Sequence, residues 1–554
     1  MPMTDRPAAA LPDHLHAAAA AVRRRGCAMS RREFLATASI FGASTATAYG
    51  MLGLAAPARA AGVPRMGGTA RMQGVLRTMK DPLTFDFNTL ANYARGWLEY
   101  LVSYNADGTF SPMLLEGWEV SDDASRYTLR VRPGVTWNNG DPFTAEDVAF
   151  NLRRFCDTSI DGNALAPRFG ALMADGQARP GAITVVDDLT VELALSEPDI
   201  AFIPNISDYQ AAIVHPSFDA ATMLENPIGT GPYLPVDYQV GVRGELVRNE
   251  DHAWWNAGNG AWLDRLVFID YGEDPAAWVA AAEGDEIDHI YALEGEFVDI
   301  FRGFDAWEVG ETPTAATVVI RPNQLAEVEG VRPYADARVR RALALAVDNA
   351  VILELGTAGQ GIVAENHHVA PVHPEYTEMP LPERDAEAAR ALLEEAGMAG
   401  YEHELTSLDA GFTRDTADAC AAQLRDAGIP VRRQIIPSSS FWNDWDRYPF
   451  STTIWNHRPL AVQTYAVAYV SGAVWNETGV ANADLDGIVA EALTTPDVEA
   501  RRALMFRAQQ VMQEEGITIQ PYWRSLFNAH KAGLRGGEVH LSQVIDPRAL
   551  YWEA

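Results

Sequence analysis

Residues 403–436 read strand, helix, strand with almost nothing between them, and that order limits the fold more than any other stretch. "HELTSLDAG" reads as a strand, "TRDTADACAAQLRDAG" as a helix closed by Gly428, and "IPVRRQII" as a second strand. Such a unit predicts a parallel pair joined by a right-handed crossover, hence an α/β architecture. Just upstream, "DARVRRALALAVDNAVILELG" predicts a helix with Asp336 as its cap, and "RDAEAARALLEEAG" a helix closed by Gly397. The first half of the chain is richer in strands. In "RYTLRVRPGVTW", Tyr127, Leu129 and Val131 alternate with Thr128, Arg130 and Arg132, which predicts a half-buried strand. "FTAEDVAFNLRRF" predicts a helix capped by Thr144, with Glu146 and Asp147 at its positive end and Val148, Leu152 and Phe155 as the buried stripe. "AITVVDDLTVELAL" predicts a hairpin turning at Asp187-Asp188.

At 554 residues the chain is too long for one ordinary core, so two or three domains are expected. No internal repeat or low-complexity linker marks their borders. The net charge of −32 argues against nucleic acid, because nothing here would neutralise phosphates. Only Lys80 and Lys531 are lysines, a bias that fits a GC-rich genome better than adaptation to salt.

The N-terminus reads as an export leader. Twin arginines, Arg31 and Arg32, precede Phe34 and Leu35, then an Ala-rich apolar stretch, then the small-x-small pattern Ala58-Arg59-Ala60. This order resembles a Tat-type signal peptide spanning 1–60, cleaved near Ala60-Ala61. The leader is basic, so its removal leaves the remainder more acidic still. Cys27 precedes the twin arginines and is not placed for lipid attachment. No other stretch has the ~18 apolar residues a membrane span needs, so a soluble periplasmic protein is expected. Cys156 and Cys420 both fall in helical patterns, which predicts two separate buried thiols.

Several stretches together resemble family 5 of the extracytoplasmic solute-binding proteins, the dipeptide-, oligopeptide- and nickel-binding components of ABC importers. They are "LLEGWEVSDDASRYTLRVRPGVTWNNGDPFTAEDVAFNLRR" (114–154), "NPIGTGPY" (226–233), "DARVRRALALAVD" (336–348) and "AEAARALLEEAG…DACAAQLRDAGIPV" (386–431), in the family's order. "GTGPY" alone is only a turn signal. The resemblance implies a two-lobed α/β periplasmic-binding-protein clamshell with an extra β-rich subdomain in its first lobe. Carried onto this chain, lobe I takes 61–108, 225–318 and 517–554, the extra subdomain 109–224, and lobe II 322–514. The chain would cross at 317–323 and 516–523. The resemblance also implies a solute enclosed between the lobes and an ABC permease partner in the inner membrane. No cofactor, no protein-held metal and a monomeric state are expected.

The residue types allow a sharper reading of the site. "WNHRP" (455–459) sets an indole, an amide, an imidazole and a guanidinium side by side. Peptide-binding relatives usually carry an acidic run here whose Asp anchors an α-amino group. In this chain that carboxylate is missing, and His457 and Arg458 stand in its place. A guanidinium fork fits a carboxylate or phosphate, so the pocket is expected to grip an acid, unless Arg458 closes an internal ion pair. Trp455, Trp475 and Trp442 are the expected aromatic wall, and Asn456 stands beside it. In "NTLANYARGWLEY", Tyr93 and Arg95 match the family's first cleft-facing segment. His367 and His368 lie on a loop near the expected cleft mouth. They cannot easily point the same way, which argues against a metal held by both.

The expected function is the periplasmic substrate-binding component of an ABC importer, taking a peptide or a similar small polar or anionic solute. The solutes open to it are a short peptide, an amino-acid derivative, an opine-like conjugate, an organic cation or a chelate. A nickel-type chelate carrier is the alternative within the class. A periplasmic hydrolase is the alternative outside it, and it lacks support: neither GxSxG nor HExxH occurs, so no enzyme is expected.

Overall fold

The structure, a computed structural model, describes residues 11–23, 29–54, 62–272, 274–409, 411–473 and 475–554. These divide into two compact units. The first holds residues up to 293, then 301–310 and 528–554; the second holds 294–300 and 311–527. The chain passes between them four times, and two of these passages lie within strands, Trp307–Pro322 and Tyr522–Lys531.

The first unit is built on a sheet with the order Tyr233–Gln239, Arg243–Arg248, Arg265–Ile269, Thr69–Gln73, His289–Leu293. Beside it stands a separate four-stranded antiparallel sheet of Leu115–Val120, Arg126–Val131, Thr190–Ala194 and Ile183–Asp187. The last two are the expected hairpin. The Ala145–Phe155 helix buries Val148, Leu152 and Phe155 completely. Asp147 closes its start, accepting from the Thr144 amide at 2.7 Å and its hydroxyl at 3.1 Å. Cys156 follows this helix, and Cys420 lies in the second unit; both are buried and unbridged.

The helix Arg31–Ile40 packs on this unit. Trp118 Nε1 donates to the Ile40 carbonyl at 2.8 Å, and Ser39 Oγ accepts from the Phe110 amide at 2.9 Å. Phe34 and Ala38 are buried, while Arg31 and Arg32 are exposed. Cys27 and the Ala58-Arg59-Ala60 pattern lie outside the described residues. Among the described residues no helix is long and apolar enough to cross a membrane.

The second unit contains the expected crossover. His403–Leu408 and Val431–Ile436 pair in parallel, joined by the helix Gly411–Asp426, and Gly428 adopts φ +81° where that helix stops. Phe450–Trp455 continues the sheet, parallel to the first of these strands and antiparallel to 317–322. One expectation fails: residues 336–356 are not a single helix. They form Ala337–Leu345 and Asn349–Thr357. Asp348 accepts from the Ala350 amide at 2.8 Å, and a side chain that caps a new first turn cannot continue the old helix. Asp336 caps the first piece as expected, accepting from the Arg338 amide at 2.8 Å. The core between helices and sheet is apolar, with Val318, Ile320, Leu343, Leu405, Leu424 and Phe450 fully enclosed.

Candidate functional site

The strand Phe450–Trp455 ends at an indole that organises its surroundings. Trp455 is buried, and its ring meets Trp445 at 6.4 Å and Trp475 at 6.1 Å between centroids. Trp442 lies 6.3 Å beyond Trp445. The four indoles form a continuous row in the second unit. Trp442 is exposed at one end, Trp445 and Trp475 are half-buried, and Trp455 is its buried member.

A buried ion pair stands behind the row. Arg321 and Glu477 are both enclosed, with Arg321 Nε 2.9 Å from Glu477 Oε2. Glu477 Oε1 accepts the Trp455 Nε1 proton at 2.7 Å, and the Thr453 hydroxyl lies at the same distance. Arg321 spends its terminal nitrogens on main-chain carbonyls, those of Tyr448 at 2.6 Å and of Trp445.

The residues after Trp455 diverge in role. Asn456 points to solvent. His457 is buried; its Nδ1 accepts from the Ala315 amide at 3.1 Å, and its ring stacks on His373 at 6.1 Å. Arg458 is half-buried, its guanidinium carbon 5.6 Å from the Trp475 ring centroid, a cation–π geometry. Its carbonyl accepts from His373 Nε2 at 3.0 Å, while His373 Nδ1 accepts from the Ala370 amide at 2.9 Å, which fixes the tautomer.

His367 and His368 are both fully buried, with rings turned to different neighbours. His367 Nδ1 accepts from the Val369 amide at 3.2 Å, and its Nε2 lies 3.0 Å from Gln509 Nε2 and 3.5 Å from Glu365. His368 Nδ1 lies 3.0 Å from the Tyr469 hydroxyl, and its ring meets Trp455 edge-on at 5.8 Å. Burial pushes the His367 imidazole down to about 3 and the His368 and His373 imidazoles below their ordinary value. All three are therefore neutral at pH 7. A second enclosed pair, Arg501 with Glu375 at 3.0 Å, lies in the same unit. Among the described residues no group of three His, Cys, Asp or Glu side chains converges on a metal-sized space.

Tyr93 and Arg95 belong to the first unit. Tyr93 is fully buried and donates to the carbonyls of Glu245 and Asp237, at 3.0 and 3.1 Å. Arg95 is buried, its guanidinium carbon 4.1 Å from the Tyr100 ring centroid, and its Nε meets no acceptor among the described residues.

The structure thus brings together Trp442, Trp455, His457, Arg458 and Trp475, with His368 against Trp455. Sequence reasoning missed Trp445, His373, Arg321 and Glu477. Arg321 had a visible signal: it interrupts the apolar run of "TVVIRPN", where a charge needs a buried partner.

Comparison with known proteins adds an independent line. The family described as bacterial extracellular solute-binding proteins, family 5 Middle, matches residues 109–477. The periplasmic oligopeptide-binding protein OppA of Haemophilus influenzae is 24% identical over 483 residues, 80% of this chain and 86% of that protein. The nickel-binding periplasmic protein of Escherichia coli is 26% identical over 317 residues, 54% of this chain and 55% of that protein. Among solved structures, the periplasmic binding protein AgaA of A. tumefaciens R10, in complex with agropinic acid, superposes with a TM-score of 0.74. It is 20% identical and covers 88% of this chain and 99% of its own, and it has the same two-lobed fold.

Proposed function

The chain belongs to family 5 of the bacterial extracellular solute-binding proteins, and on that premise we propose that it captures a peptide or similar small solute bearing an acidic group for an ABC importer. It works in the periplasm, reached through the leader that carries Arg31 and Arg32, and hands the solute to a membrane permease. It binds without transforming its cargo. The observation that carries the acidic-solute reading is the stack of Arg458 on Trp475, at the end of the tryptophan row. The neighbouring imidazoles of His368 and His373 are kept neutral by burial, and the Glu477 carboxylate behind the row is balanced by Arg321. A guanidinium stacked at the end of the row can hold a solute carboxylate through a planar fork.

The test is mass spectrometry of solute carried through native purification from the producing cell, followed by a melting curve with that solute added back. A binder gains about 2.7 kcal/mol at a hundredfold excess over the dissociation constant and returns the solute unchanged. Recovery of a cleaved product would overturn the reading in favour of a hydrolase. A solute with no acidic group would overturn the role given to Arg458. The second reading, a metal-chelate carrier, draws on the likeness to the nickel-binding periplasmic protein. Stoichiometric metal in the same sample would favour it.

A further inference from the structure

We infer that Glu477 is a positioning residue: backed by Arg321, it fixes the indole of Trp455 and so sets the tryptophan row before any solute arrives. The inference rests on the reading of that row as a solute wall.

Glu477 is 1% exposed, so its charge is paid for only by its partners. Its oxygens accept from Trp455 Nε1 at 2.7 Å, from the Thr453 hydroxyl at 2.7 Å, and from Arg321 Nε at 2.9 Å. Arg321 reaches on to the carbonyls of Tyr448 and Trp445. One carboxylate–guanidinium unit therefore ties together three separate segments: the strand end at 453–455, the turn at 445–448, and its own loop at 475–477. Each of these segments supplies one indole of the row. An apolar pair of similar volume would fill the same space without the desolvation cost. What such a pair could not do is fix the rotation of an indole through its single N–H.

This arrangement also restricts what the row can hold. Trp455 has one donor, and Glu477 takes it, so Trp455 offers a solute its ring and no hydrogen bond. The group that meets it is an apolar or flat delocalised one, such as an aryl or aliphatic side chain, and not a hydroxyl or an amine seeking a partner. Because Arg321 neutralises Glu477, the wall sets up no negative field against a solute acid.

The test uses the whole chain without solute, labelled for NMR at tryptophan and histidine. The Trp455 indole signal is assigned by its loss in Trp455→Phe, and the His368 ring signals by their loss in His368→Asn. Glu477→Gln is expected to move the Trp455 Nε1–H resonance and speed its exchange with deuterium at least tenfold. It should also shift the ring protons of His368, which touches Trp455 and has no bond to Glu477. In a Trp455→Phe background the same change should leave His368 unmoved, because the effect passes through the indole. A purely structural Glu477 would lower the melting temperature without this dependence on Trp455. His368 shifts that persist without Trp455, or an unchanged Trp455 signal in a folded Glu477→Gln protein, would overturn the inference. Should Glu477→Gln fail to fold, Glu477→Asp and the charge-free pair Arg321→Met with Glu477→Gln carry the same measurements. No solute enters the experiment, so its failure would leave the importer reading intact, just as a failed solute search would leave the positioning result intact.

Discussion

On the proposed reading, Arg458 and Trp475 separate two kinds of contribution to binding. With its guanidinium over the indole, Arg458 combines charge with a flat apolar contact. Truncating one member of a buried charge pair costs on the order of 2–5 kcal/mol. We expect Arg458→Ala to lower affinity for the co-purified solute by that amount, read by calorimetry. Arg458→Lys should recover part of it, since a point charge cannot replace a planar fork. Unchanged affinity beside a lowered melting temperature would instead assign Arg458 to the interior. At this scale the sequence was readable where residue type carries the meaning. The density of indoles from 442 to 475 signalled that these rings would lie together, and adjacency alone argued that His367 and His368 face different ways. It was unreadable where meaning comes from partners distant in the chain. Nothing in "VWNETG" says that Glu477 meets Arg321, because only the sheet brings residues so far apart in sequence to one place.

The segment "GTGPY" shows the same limit for an element. Read as a sequence it is a turn. In the fold it is a place where two stretches of main chain lie against each other. The Gly231 amide donates to the Trp97 carbonyl and the Tyr233 amide to the Gly96 carbonyl, both at 2.9 Å. A Cβ at 229 would sit 2.0 Å from the Trp97 carbonyl oxygen, and one at 231 would sit 2.7 Å from that of Gly96. Main chain cannot swing aside as a flexible side chain can. We expect Gly229→Ala to destabilise the first unit by about 3 kcal/mol or more, at the upper end of overpacking costs, and Gly231→Ala by less. Denaturant unfolding checks the order. Elements defined by local chemistry were legible in advance: the hairpin at 183–194, the capped helix after Thr144, and the crossover at 403–436. The break at Asp348 was missed because apolar periodicity runs on through it, and only the turn of the carboxylate onto the next amides stops the helix.

Across the whole molecule, six imidazoles are pushed below their ordinary value by burial. His289 and His540 in the first unit and His403 in the second fall to about 4, His367 falls to about 3, and His368 and His373 also fall. A histidine held neutral in the fold takes up its proton only on unfolding. Such a histidine costs nothing above about pH 6.5 and destabilises the fold increasingly as the pH falls towards the depressed values, by up to about 1.4 kcal/mol per pH unit for each. Asp199, raised to about 6, and Glu365, also raised, act in the opposite direction, but two carboxyls do not balance six imidazoles. We expect the melting temperature to drop steadily between pH 7 and pH 5, and scanning calorimetry would refute this with a flat profile. Four of the six lie in the second unit, so any transition assigned to that unit should move further. The connectivity has a different kind of consequence. Pro64 and Arg65 pair with Glu553 and Trp552, so a strand near the start of the fold finds its partner only when almost all of the chain exists. At roughly 5–20 residues per second of synthesis that wait is on the order of tens of seconds. During it that strand has no native partner yet made, and the protein is most open to misassociation there, before the finished fold exists.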